Sequence, residues 1–126
     1  MHFPRELEDA AFRSENGEYA WQRQEALAAV CVLAATGHAV LGGEVWLVRD
    51  GEIWAGFSLA SGPSGAYAWA IDRLSKEPWP TYVTRACVDA KAAIRAAPRE
   101  AEVELPPNAN MYFNLNRAGF PGDPVT

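Results

Sequence analysis

The stretch from Leu41 to Phe57 constrains the fold more than any other part of the chain. It reads Leu-Gly-Gly-Glu-Val-Trp-Leu-Val-Arg-Asp-Gly-Glu-Ile-Trp-Ala-Gly-Phe. Two runs rich in β-branched and aromatic residues flank Asp50-Gly51, the pair suited to a two-residue turn whose central positions both need positive φ. The expectation is a β-hairpin in which Arg49 faces Glu52, Val48 faces Ile53 and Leu47 faces Trp54. Period-2 alternation then sorts the side chains. Trp46, Val48, Ile53, Ala55 and Phe57 form the expected core face, and Val45, Leu47, Trp54 and Gly56 form the other. Aromatic strand residues serve cores more often than binding surfaces, which favours a sheet covered on both sides. The alternative leaves Leu47 and Trp54 on a surface that awaits a partner.

At 126 residues the chain suits one domain, divided here into an acidic arm (1–16), a body (17–98) and a loop-rich C-terminal segment (99–126). Hydrophobic residues at 49% and charged residues at 21% place it among globular chains and not disordered ones. The sequence shows neither a signal-peptide pattern at its start nor an apolar run of bilayer length, so the expected address is the cytoplasm, with no membrane partner. Cys31 and Cys87 lie in apolar helical contexts and read as free core thiols.

The net charge of −5 is unevenly spread. Residues 1–18 carry an excess of three negative charges, residues 99–126 an excess of two, and residues 19–98 between them are neutral. No segment has the basic footprint that phosphate binding requires, which argues against nucleic acid.

Two helices are expected. The first spans about Glu18 to Thr36, with Asn16 as N-cap, an apolar row of Leu27, Val30, Cys31 and Ala34, and Gly37 as a left-handed C-cap. The second opens at Pro80 and carries Val83, Ala86, Cys87, Ala90, Ile94 and Ala97 along one stripe, with Arg85 and Asp89 paired outside. Gly42-Gly43 marks a bulge or a close approach of another element. Ser61 to Gly65 reads as a loop, Tyr67 to Ile71 as a strand with one bulky and one alanine face, and Glu102 to Leu105 as an edge strand. Phe3, Leu7 and Phe12 are available to tie down the N-terminal arm. The fold class is therefore α+β: an antiparallel sheet of three to five strands with a central hairpin, packed against two helices.

Catalytic chemistry is not announced. His2 and His38 stand at no metal-ligand spacing, Ser64 fails the nucleophile-elbow pattern, and the spacing of Glu44, Asp72 and Glu77 along separate segments does not establish a carboxylate pair. The reading is of a non-enzyme with no catalytic, cofactor or metal site. Five tryptophans are more than the core is expected to absorb, which leaves aromatic surface for an interface.

The order of these motifs carries a resemblance. A helix containing Glu25-Ala26-Leu27 precedes Ala39-Val40-Leu41-Gly42-Gly43-Glu44-Val45-Trp46, followed by an aromatic strand around Trp69 and a helix with Tyr82-Val83, Ala90 and Ile94. Residues 20–97 so arranged resemble immunity proteins of bacterial polymorphic toxin and contact-dependent inhibition systems, in which a Leu-Gly-Gly-acid-Val-aromatic segment follows the first helix. The resemblance implies a cytoplasmic, non-catalytic protein that binds a cognate toxin domain and blocks it. The contact set suggested for that role is Leu47 and Trp54 as anchors, Asp50 and Glu52 at the hairpin tip, and Glu6, Glu8 and Asp9 from the acidic arm. A small-molecule-binding domain with an aromatic pocket is the alternative.

Overall fold

The computed structural model describes residues 3–53, 67–99 and 107–120. Its elements run α1 (Arg5–Ala10), β1 (Phe12–Arg13), β2 (Tyr19–Trp21), α2 (Arg23–Ala35), β3 (Ala39–Arg49), β4 (Glu52–Ile53), β5 (Ala68–Ala70), α3 (Trp79–Ala96) and β6 (Ala109–Ala118). The six strands form one antiparallel sheet in the order β1-β2-β6-β3-β4, with β5 also paired to β3. The α+β class holds, with one strand more than the expected range.

The hairpin register is as read. Val48 pairs with Ile53 and Arg49 with Glu52, and both turn residues have positive φ, 52° at Asp50 and 80° at Gly51, as a type I′ turn demands. The faces are exchanged, however. Val45 and Leu47 lie in the main core with α2 and α3, whereas Trp46 and Val48 belong to a smaller cluster with Ala20 on the opposite side. Ile53, expected in the core, is 45% exposed. Both hairpin faces are apolar, so alternation alone cannot say which one meets the helices. Trp54, Ala55, Gly56 and Phe57 lie outside the described residues, as do the Ser61–Gly65 and Glu102–Leu105 segments.

What decides the faces is β6, which falls in a segment expected to be loop. It pairs with β3 from Ala39↔Ala118 to Arg49↔Ala109 and sits between β3 and β2. Met111 and Phe113 are fully buried, and Leu115 nearly so, beneath the helices. Pairing puts Met111, Phe113 and Leu115 beside Leu47, Val45 and Gly43.

The first of the two expected helices, α2, begins later than expected because Tyr19–Trp21 is a strand and not its first turn; α1 is a third, short helix in the N-terminal arm. Its buried side is Arg23, Ala26, Ala29, Val30 and Leu33, which leaves Cys31 exposed. With Ala and Val on every side, α2 offers no single stripe to read. Its C-terminus is a Schellman motif: the Gly37 N–H (φ 78°) donates to the Ala34 carbonyl at 3.1 Å and the His38 N–H to that of Leu33 at 2.8 Å. The Trp79 indole donates to the Gly37 carbonyl at 2.9 Å, fastening the start of α3 to the end of α2. The α3 stripe is as expected except that Cys87 is only half-buried.

Gly42-Gly43 does mark both a bulge and a close approach. The register shifts between Val40 and Gly42. A Cβ on Gly43 would stand 2.6 Å from the Trp69 ring and 2.5 Å from the Asn114 carbonyl oxygen, and one on Gly42 2.3 Å from the Trp69 carbonyl oxygen. The approaching elements are the strands β5 and β6. The bulky side of β5 turns inward, with Tyr67 donating to the Ala93 carbonyl at 2.8 Å, while Ala68 and Ala70 are exposed. The alanine face therefore receives no helix.

Candidate partner-binding site

Two turns rise at the ends of the hairpins. In the first, the Ser14 and Gly17 N–H groups donate to Glu18 and Ser14 carbonyls at 2.9 Å each, the Glu18 N–H donates to Ser14 Oγ at 3.1 Å, and Gly17 takes φ 79°. Such Ser and Gly chemistry closes a tight β1–β2 connection. The second turn is Asp50-Gly51. The sheet coils so that β1, at one end of the strand order, lies against β3: the Phe12 ring meets Trp46 edge-on, with centroids 6.2 Å apart and planes at 89°, and meets Tyr112 at 5.9 Å.

This coiling brings the two turns to the lips of one cleft of about 500 Å³. Among the described residues it is lined by Phe12, Arg13, Ser14, Glu15, Asn16 and Glu18 from one lip and Gly51, Glu52 and Ile53 from the other. Glu15, Glu18 and Glu52 are all exposed. One cation lines it too: the Arg13 guanidinium lies 4.7 Å over the Tyr19 ring. The wall is thus net acidic, with apolar surface from Phe12 and Ile53.

The suggested contact residues fall into three groups. Asp50 and Glu52 stand at the exposed hairpin tip, Asp50 within 3.8 Å of the Arg49 guanidinium. Leu47 is 5% exposed beneath the helices and is no surface anchor. None of Glu6, Glu8 and Asp9 lines the cleft. The Glu8 carboxylate accepts the Tyr19 hydroxyl at 2.7 Å and the Phe3 N–H at 3.2 Å. That hydrogen bond, with burial, raises the Tyr19 pKa above its ordinary value. Asp9 forms an exposed i,i+4 pair with Arg5 at 3.8 Å. Trp54 lies outside the described residues. The sequence reading missed Glu15 and Glu18; the Ser-Glu-Asn-Gly run at 14–17 is a turn signal that could have placed them.

Two further carboxylates, Glu44 and Glu77, serve the fold. Glu44 accepts the Trp46 indole N–H at 2.8 Å. Glu77, with its side chain 6% exposed, receives Arg85 through both oxygens at 2.9 and 2.8 Å and the Leu74 N–H at 3.0 Å. Arg85, and after it the Leu74 N–H, pull the Glu77 pKa down to about 2. Among the described residues, no group of three or more His, Cys, Asp or Glu is placed to hold a metal ion. No helix among them is long and apolar enough to cross a membrane.

Fold and cleft together define a small α+β domain that presents an acidic concavity between two β-turns. The family model described as Immunity protein 40 matches residues 6–115, from α1 into β6 and across both lips of the cleft. The chain belongs to this family of immunity proteins. Searches of curated proteins and of solved structures give no match.

Proposed function

We propose that this protein neutralises one cognate bacterial toxin domain by binding it, without catalysis, and that the hairpin end of the sheet makes the contact. The family match over residues 6–115 is the observation that carries the reading. The exposed tip supports the location: Asp50 and Glu52 add negative charge beside the half-exposed Ile53, and the adjoining Trp54 is the proposed aromatic anchor. An acidic tip suits a toxin whose own working cleft is basic, with charge governing the encounter and apolar contact the lifetime of the complex. The protein acts in the cytoplasm, where such a toxin would reach its target.

The test is co-expression with any toxin domain that the flanking genes encode, followed by affinity purification. Restored growth and a stoichiometric complex are expected. Growth arrest unaffected by the protein, with no complex recovered, contradicts the proposal.

A further inference from the structure

The cleft between the two turns has a shape and charge that the hairpin tip alone lacks. Its volume of about 500 Å³ falls within the range of pockets for small ligands, about 300–1,000 Å³. That is room for a few side chains, not for a helix laid along it. Its apolar contribution is a ring and a branched aliphatic chain, Phe12 and Ile53, the latter 45% exposed. Its charged contribution is Glu15 and Glu18 on one lip and Glu52 on the other, against Arg13 alone. Arg13 is drawn onto the Tyr19 ring at 4.7 Å, which occupies its guanidinium face.

We infer that this groove is the seat for a basic loop of the toxin, entered by one or two arginine or lysine side chains. The inference rests on the neutralisation reading above and specifies what the partner offers. An arginine or lysine is amphipathic: its methylene stem covers apolar surface while its head seeks carboxylates or water. Phe12 and Ile53 supply the surface for the stem, and the three glutamates supply acceptors around the head. The charge pattern disfavours an acidic segment. Because the lips come from β1–β2 and β3–β4, the two ends of the strand order, the seat exists only in the folded, coiled sheet.

The test measures association and dissociation of the purified protein with a toxin domain that a flanking gene encodes. Two variants reverse charge: Glu15→Lys with Glu52→Lys, and Glu6→Lys with Asp9→Lys on α1. Salt runs from about 0.01 M to about 0.15 M, across which the screening length falls from about 30 to about 8 Å. The groove pair is expected to slow association at least about tenfold at low salt, and less at the higher, while the α1 pair stays within about twofold of the parent. Ile53→Asp is expected to speed dissociation. All four α1 and groove acids are exposed, and unchanged melting curves verify folding. A groove pair that binds like the parent overturns the seat and leaves neutralisation standing. A parent protein that forms no complex overturns both.

Discussion

The Arg23 guanidinium, held at the start of α2, donates to the carbonyl of Ile94 in the last turn of α3. It reaches the Pro98 carbonyl at 2.9 Å and the Ala97 carbonyl at 3.4 Å as well, with its face 5.1 Å from the Phe113 ring centroid. One side chain thereby satisfies the end of one helix, anchors it to another and stacks on the central strand. A cation at a helix C-terminus also complements the helix dipole.

Replacing Arg23 by Met keeps much of the stem volume and removes the donors. Since Arg23 is only 9% exposed, the carbonyls it serves lose partners in a place where water reaches poorly. The expected loss is about 2–4 kcal/mol of unfolding free energy, read from urea denaturation. A loss below about 0.5 kcal/mol would show that the carbonyls find other donors.

Glu77 sets an acid limit on stability. Its pKa is lowered to about 2 in the fold from an ordinary 4.5, so the folded state favours the ionised form. The contribution is present above about 4.5 and is lost as pH falls toward about 2. Glu77→Gln is expected to lower stability at neutral pH and to flatten the acid limb of the stability curve in that interval. An acid limb of parental steepness in the variant would assign it to other carboxylates.

Gly43 and Gly37 answer to different constraints. A Cβ at Gly43 collides with the Trp69 ring and the Asn114 carbonyl, so Gly43→Ala is expected to cost about 1–3 kcal/mol through overpacking. Gly37 has nothing within 4 Å but holds φ 78°, and Gly37→Ala is expected to cost about 1 kcal/mol through backbone strain. Chemical denaturation of Gly43→Ala alone and combined with Trp69→Ala separates the causes. The ring's share of the clash should vanish in the combined variant, so additive costs would place all of it at Asn114.

These residues show what was legible in the sequence. Asp50-Gly51 specified its turn and register because the two positive φ angles admit few residue pairs. The Leu-Gly-Gly segment on which the family resemblance rests is, physically, the room left for Trp69 and β6. Tyr19–Trp21 merged into the helix after it because aromatic and alanine residues suit either state. The strand β6 was hidden by three asparagines, Asn110, Asn114 and Asn116, which carry weak strand propensity. Yet Met111, Phe113 and Leu115 alternate with them at period 2. Asn114 is buried and donates to the Tyr19 carbonyl at 2.9 Å, so its polarity serves the sheet. With β6 unseen, nothing chose between the two apolar hairpin faces, and Leu47 was offered as surface. The cleft was illegible for a related reason: its lips meet only through the coil of the sheet.

A toxin held at the two β-turns would shield their backbone amides. Hydrogen–deuterium exchange of the protein, alone and with a toxin domain that a flanking gene encodes, measures this. New protection is expected in residues 12–18 and 50–53, with the outer side of α3 around Thr81, Thr84 and Val88, itself the wall of a shallow hollow, exchanging as before. Protection centred on that outer side of α3, with the two turns unchanged, would contradict it.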